Sequence, residues 1–331
     1  VSVICLGTMT FGEEWGYGAN KVESQRIFED YLNHGGNFID TANRYTEGSS
    51  EKFLGEFIKD SGKRKELVIA TKFGLSTQMG RVNDSGNHRK NLVQSLEGSL
   101  QRLQIDFVDV LYLHAWDFTT PAEEVLRALD DLISQGKVLH IAVSDTPAWI
   151  ISRSLAISEF KNWSAFVGMQ THYNLLKRDA ERDLIPMANS LGLTTTAWAP
   201  IAGGALSGKY LDKTQNPYRL KPESKRLAPE TIPIVQAVQD IATELECLPV
   251  HVALNWIRQK GIIPVIGCRS LDQMIDNLHC LDYELTPEHF TTLNKISEID
   301  LGFPHDFVRE EGVQQIMYGD LIDRIEFPMR C

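Results

Sequence analysis

Residues 38–58 read FIDTANRYTEGSSEKFLGEFI. A short apolar run ends in Asp40, and Tyr45 follows in a polar turn before a new amphipathic segment. A carboxylate and a phenol so placed either cap a helix and cover a loop, or form half of an active site. Other polar residues fall at comparable places. Lys72 ends the run VIATK, His114 ends VLYLH, Ser144 and Asp145 end AVSD, Gln170 follows AFVGM and Trp198 follows LTTTA. A Lys or a His at the end of an apolar run is awkward for a core, because burying either without a partner is costly. Taken singly, each reads as a satisfied structural residue. Taken together, in one layer, they read as a site.

That layer requires a particular set of elements. Strand-like runs occur at SVICLGTM, NFIDTA, ELVIATK, DVLYLH, HIAVSD, AFVGMQ, LTTTAWAP and IIPVIG. They are continuously apolar rather than alternating, which suits parallel strands buried on both faces. Helical segments lie between them. NLVQSLEGSLQRL sets Leu92, Leu96, Leu100 and Leu103 on one face. TTPAEEVLRALDDLISQGK offers Thr120 as N-cap, Pro121 at the first helical position and Gly136 as the stop. Strand and helix alternating eight times predict a (β/α)8 TIM barrel, with a doubly wound sheet as the competitor. In a barrel the C-terminal strand ends form one face, and catalytic residues gather there. The rhythm breaks from about 203 to 233, a Pro- and Lys-rich loop long enough to act as a functional cover.

The bulk composition excludes several alternatives. The chain has 331 residues, 43% hydrophobic and 23% charged, enough for a large core. We read residues 1–331 as one domain, with a C-terminal tail over about 301–331. A net charge of −11 argues against a broad nucleic-acid or anionic-membrane surface. Cys5, Cys247, Cys268, Cys280 and Cys331 are scattered, without C-x-x-C spacing, and read as reduced thiols of a cytoplasmic protein with no metal site. No apolar run is long enough to span a bilayer. The chain opens on VSVICLG, already inside a strand, and its native start is expected further upstream.

With these residues in place, the sequence resembles the aldo-keto reductase superfamily, in its long-loop branch of bacterial and potassium-channel-β-like proteins. LGTMTFG, NFIDTANRY, SSEKFLGEFI, VIATK, VDVLYLH, AVSD, AWAPIAGGALSGKY and PVIGCRSLDQMIDN carry the resemblance through order and spacing along nearly the whole chain. It implies an oxidoreductase of the alcohol dehydrogenase or aldehyde reductase type, with a catalytic tetrad of Asp40, Tyr45, Lys72 and His114. Reduction of a carbonyl needs a hydride donor and a proton for the developing alkoxide. A free Tyr has a pKa of about 10, too high for an efficient relay near neutrality, and the Lys72 ammonium is expected to lower it. Asp40 would keep Lys72 charged and oriented, and His114 would bond the substrate oxygen. Relatives usually close the barrel floor with an N-terminal hairpin, for which this chain starts too late.

A hydride requires a cofactor, and no strand–GxGxxG–helix fingerprint is present. The family instead lays NADPH across the barrel mouth. The resemblance implies Ser144, Asp145 and Gln170 at the carboxamide, with Trp198 stacked on the nicotinamide. Asp145 stands where Asn is common. Thr8, Met9 and Asp40 would lie along the same cleft. Ala199, Pro200, Gly203, Gly208 and Lys209 would face the pyrophosphate, and Gly267, Arg269, Gln273, Asp276 and Asn277 the adenosine end. Trp15, Arg44 and Trp116 follow strands and should rim the substrate pocket with Tyr45 and His114, as a flat-sided site for aromatic or medium aliphatic aldehydes and ketones. GGALSGK followed by Tyr210 lacks the hydroxyl residue of a P-loop. Tyr17 and Lys21 have the Y-x-x-x-K spacing of short-chain dehydrogenases but sit in a loop without a glycine-rich cofactor turn. The rival functions are a slow-turnover, redox-sensing regulatory subunit and a Schiff-base enzyme with Lys72 as nucleophile, against which Asp40 argues by favouring the charged Lys.

Overall fold

The computed structural model describes residues 1–211, 220, 221 and 223–325. Eight strands run β1 Cys5–Gly7, β2 Phe38–Asp40, β3 Val68–Phe73, β4 Val108–Leu113, β5 Val138–Ser144, β6 Phe166–His172, β7 Thr194–Trp198 and β8 Ile263–Ile266. Each pairs in parallel with its sequence neighbours, and β8 pairs with β1, closing the barrel. This is the single-domain (β/α)8 architecture expected, and the doubly wound alternative is excluded by closure.

The apolar runs are buried on both faces because the two sides of each strand meet different cores. Cys5, Phe38, Ala70, Tyr112, Ala142 and Val265, from six strands, pack into one cluster filling the barrel interior. Their neighbours along the strands, such as Leu6, Ile39, Ile69 and Leu111, belong to the larger cluster beneath the helices. On the helix Arg89–Leu103, Leu92, Leu96, Leu100 and Leu103 are all buried, as their spacing predicts.

The helix Ser49–Ser61 sits directly behind the stretch that carries Asp40 and Tyr45. It approaches Arg89–Leu103 so closely that a Cβ on Gly55 would lie 2.5 Å from the backbone oxygen of Arg102. Glu51, on the same helix, is fully buried; it accepts from Arg102 Nε at 2.7 Å and from the Thr71 hydroxyl, next to Lys72 on β3. One carboxylate thus joins two helices to the strand that presents the ammonium.

Two segments differ from expectation. The fourth long helix starts at Ala122 with Pro121 as N-cap, so Thr120 is not the cap. Asp117 instead accepts the backbone N–H groups of Thr119 and Thr120 and the Thr120 hydroxyl, which removes Thr120 from the capping role. After β7 the chain forms short 3-10 turns over Ala202–Ser207, Lys225–Leu227 and Pro229–Thr231. Within the expected cover at 203–233, residues 212–219 and 222 lie outside the described residues. The described parts do fold back: a Cβ on Gly203 would lie 2.7 Å from an Arg226 guanidinium nitrogen and 3.2 Å from Leu220. Helices Ile232–Glu244 and Pro249–Gln259 then precede β8. In the tail, the helix Glu311–Tyr318 is described and 326–331, with Cys331, are not.

Removing one partner of a buried ion pair strands the other charge. Arg102→Ala should therefore lower unfolding free energy by about 3 kcal/mol, read as a shift of the urea midpoint with unchanged slope. A loss below about 1 kcal/mol would show that Glu51 is not the tie between these helices.

Candidate active site

The β2–β3 register brings Asp40 opposite Ala70, with Lys72 further along β3, so both side chains reach the C-terminal end of the barrel. Lys72 is 1% exposed, a burial tolerable only because all three ammonium protons find acceptors. It pairs with Asp40 Oδ1, donates to the Thr41 carbonyl at 3.0 Å, and reaches the Tyr45 hydroxyl at 3.1 Å. The second Asp40 oxygen accepts from Gln170 Nε2 at 3.0 Å. His114 follows β4 with its ring 5.7 Å from that of Tyr45 and nearly perpendicular to it. The four residues of the expected tetrad therefore meet at one mouth.

The electrostatics correct one expectation. Burial pushes the Tyr45 phenol above its ordinary value, and the opposing pull of Lys72 does not overcome it. Tyr45 is protonated throughout the neutral range rather than softened toward phenolate. Burial alone would lower Lys72, but the Asp40 carboxylate, with Tyr45 adding to it, carries its pKa above the ordinary value. Burial, with the Lys72 charge second, drives His114 down to about 3, so its imidazole is neutral.

Tyr45 enters a strained turn. Thr46 and Glu47 take positive φ of 46° and 54°, a left-handed conformation uncommon for residues with a Cβ. Thr46 is held by donating to the Phe11 carbonyl and by accepting the Ser50 N–H. Glu47 pairs with Arg44 and accepts from Trp15 Nε1 at 3.1 Å. Trp15 lies edge-on to Tyr45 with ring centres 6.4 Å apart, beneath the Arg44 guanidinium. Trp15 and Arg44 thus sit at the rim, whereas Trp116 is half-buried against the main core.

The remaining residues divide between open and committed groups. Ser144 Oγ and His114 Nδ1 are buried without a hydrogen-bond partner among the described residues. Unsatisfied buried polar atoms at a mouth suit a ligand that brings its own donors and acceptors, and a nicotinamide carboxamide is such a group. Trp198 donates its Nε1–H to Asp145 at 2.9 Å, and His172 stacks on the indole at 3.9 Å. Gly203 and Gly208 have positive φ in the loop beyond Ala199 and Pro200, with Lys209 next to Gly208. Arg269 and Gln273 meet at the start of the helix Leu271–Leu278, where the Arg269 N–H bonds the Gln273 side chain; Asp276 is exposed farther along. Met9 and Gly267 are open to the same end of the barrel. Thr8 and Asn277 are turned inward: Thr8 bonds the Asp40 carbonyl and Ser50, and Asn277 donates to Cys268 Sγ. No group of His, Cys, Asp or Glu among the described residues could hold a metal.

Three contributions escaped the sequence reading. Gln170 is a partner of Asp40, His172 backs Trp198, and Asn43 is 3% exposed with both amide atoms unpartnered among the described residues. Period-two spacing put His172 on the same strand face as Gln170, which was the available signal. Nothing in DTANRY marks Asn43.

An eight-stranded parallel barrel whose mouth gathers a carboxylate, a phenol, an ammonium and a neutral imidazole defines the class. Residues 3–298 match the sequence model of the Aldo/keto reductase family, and the chain belongs to that family. It is 34% identical to a norsolorinic acid reductase of Emericella nidulans, over all of this chain and 87% of the relative. It is also 34% identical to an NADP(+) aryl-alcohol dehydrogenase of Phanerodontia chrysosporium, over 92% and 85% respectively. The protein is an oxidoreductase of the carbonyl-reducing type, and no helix among its described residues is long and apolar enough to cross a membrane.

The neutral His114 has a consequence for stability. Its folded pKa of about 3 lies below the ordinary 6.5, so its contribution is intact above about pH 6.5 and is lost as pH falls toward 3, where only the unfolded chain binds the proton. Between pH 7 and pH 5 the wild type should lose about 1–2 kcal/mol more than His114→Gln, as measured by urea unfolding. Equal losses would show that His114 is not held neutral.

Proposed function

We propose that this protein reduces aromatic or medium aliphatic aldehydes and ketones to alcohols with NADPH, and that Tyr45 is the general acid. The observation that carries the reading is the saturated ammonium of Lys72, bound to Asp40, the Thr41 carbonyl and the Tyr45 hydroxyl at once. That arrangement holds the phenol beside a fixed positive charge, which stabilises the phenolate formed when Tyr45 gives its proton to the developing alkoxide. His114, neutral, supports the substrate oxygen by hydrogen bonding without adding charge. NADPH supplies the hydride that no side chain can. Ser144 and Asp145 would hold its carboxamide, with Trp198, backed by His172, as the platform. The loop with Gly203, Gly208 and Lys209 would receive the pyrophosphate, and Arg269, Gln273 and Asp276 the adenosine end.

The rim argues for the substrate class. Arg44, which lies over Trp15, is paired with Glu47, so the rim presents no free cation there to recruit an acid. A flat, neutral carbonyl compound suits it, which accords with relatives named for aryl alcohols and norsolorinic acid. The free thiols of Cys5, Cys247, Cys268 and Cys280 fit a reducing, cytoplasmic setting, and the acidic chain gives no reason to invoke nucleic acid or an anionic membrane as partner.

Tyr45→Phe removes the proton donor and leaves the ring. It should bind NADPH nearly as well as wild type while losing at least about 10²-fold in kcat. Single-turnover hydride transfer is the decisive measurement if product release limits the wild type. More than about a tenth of wild-type chemistry in the variant would defeat the assignment of Tyr45 as acid. The same panel of carbonyls tests the regulatory alternative, under which wild-type turnover is slow with every substrate.

Arg269 is the cation proposed for the 2′-phosphate, which alone distinguishes NADPH from NADH. Its planar fork can take two phosphate oxygens, and a charge-assisted hydrogen bond is worth about 10- to 150-fold in affinity. Arg269→Ala should weaken NADPH by that order and leave NADH nearly unchanged in fluorescence titration. Equal weakening of both would make Arg269 a scaffold residue.

A further inference from the structure

Asp145 follows β5 directly and takes a positive φ of 39°, so the backbone turns there and aims the carboxylate across the barrel mouth. One oxygen accepts the Trp198 indole N–H at 2.9 Å. The residue as a whole is exposed at the mouth while its carboxyl is partly withdrawn from water, and no cation among the described residues forms an ion pair with it. Its charge is felt at Tyr45, and Lys72 is felt at Asp145, so the three groups share one small region. Within that region Asp40 and Lys72 cancel, and His114 and His172 are neutral, with pKa values of about 3 and about 4. Burial raises the Asp145 carboxyl, against which the Trp198 hydrogen bond and then the Lys72 charge work. The geometry places the Asp145 carboxyl beside the indole, and no ion pair among the described residues compensates its charge.

On the cofactor reading above, a nicotinamide stacked on Trp198 would lie beside Asp145, whose carboxyl accepts the indole N–H. Delivery of a hydride to the carbonyl carbon, with a proton from Tyr45 to the oxygen, turns the neutral dihydropyridine into a cationic pyridinium. Two electrons and one proton leave the ring as the hydride, and the ring gains one positive charge. A fixed negative charge at its edge interacts with the two forms differently, and only a differential interaction can bias an equilibrium.

We propose that Asp145 is a redox-biasing residue, whose carboxylate favours the oxidised, cationic nicotinamide over the reduced, neutral one and thereby tilts the bound equilibrium toward the alcohol. This goes beyond holding the carboxamide, which a neutral amide at the same position does equally well. It rests on the cofactor reading and fails separately from it.

The test is the ratio of the dissociation constants of NADP+ and NADPH, titrated by protein fluorescence in wild type, Asp145→Asn and Asp145→Ser. Asn keeps an oxygen for the Trp198 N–H and tolerates the left-handed backbone, so the platform is preserved. Two opposite charges in a partly solvated cleft change a binding ratio by about 10-fold. The ratio should rise by about that factor in both variants, chiefly through weaker NADP+. An unchanged ratio, or equal weakening of both forms, would make Asp145 a positioning group for Trp198 and overturn the bias while the cofactor reading stands. Wild type binding neither form would overturn the cofactor reading, and the bias with it, before any variant is compared.

Discussion

The buried pair of Asp40 and Lys72 is the constraint to which the barrel mouth is built. Two charges withdrawn from water cost several kcal/mol each, and attraction between them repays this only when the remaining valences are also filled. Here they are filled from four places in the chain. β2 supplies Asp40 and the Thr41 carbonyl that follows it, β3 supplies Lys72, β6 supplies Gln170, and the turn after β2 supplies Tyr45. Gln170 reaches Asp40 from far along the sequence, across the interior of a closed barrel. Opening the sheet anywhere between these strands would leave a charge or an amide unpaired, so closure of the fold and the ionisation of Lys72 are one requirement.

The backbone strain follows the same geography. Thr46, Glu47, Asp145, Ala199 and Ala202 all carry a Cβ at positive φ, and all lie in segments leaving the C-terminal ends of β2, β5 and β7. Gln104 and Asn162 are also left-handed, but they are helix C-caps, where that conformation satisfies the last carbonyls and needs no function to explain it. The mouth residues have no such excuse. Three of them are held from outside: Thr46 by Phe11 and Ser50, Glu47 by Arg44 and Trp15, and Ala199 by the Asn174 amide on its carbonyl at 2.9 Å. Strain maintained by neighbouring contacts in this way aims side chains rather than merely turning the chain.

The barrel was legible because buried parallel strands need unbroken apolar runs and the helices between them need a stripe, as in Leu92, Leu96, Leu100 and Leu103. That Asp40, Lys72 and His114 share one layer was legible because such residues at the ends of apolar runs conflict with burial unless they meet; grouping them with Tyr45 came from the family resemblance. What escaped detection depends on distances between segments. Whether Gln170 faces a ligand or Asp40 is decided by β2 and β6 facing each other across the barrel interior, which no spacing along the chain encodes. The Thr120 cap was lost to Asp117 because two carboxylate oxygens could satisfy three neighbouring donors at once. The sign of the Tyr45 shift was missed because residue types show the ammonium but not the depth at which the phenol is held. At that depth, desolvation outweighs the charge.

That sign has a meaning for the proposed chemistry. A general acid must hold its proton until the substrate oxygen becomes basic, and a phenol raised by burial does so across the whole neutral range. The reverse reaction needs the phenolate instead, which burial disfavours and which Lys72 stabilises. On the assignment of Tyr45 as acid, the ammonium bonded to the phenol oxygen lowers the cost of the phenolate at the moment of transfer. Burial and Lys72 therefore divide the work rather than oppose each other. The first keeps the reducing form of the enzyme populated, and the second prevents the proton from being held too tightly to give up. A site with the ammonium alone would spend part of its population as phenolate, and one with burial alone would pay the full desolvation of the phenolate in the barrier.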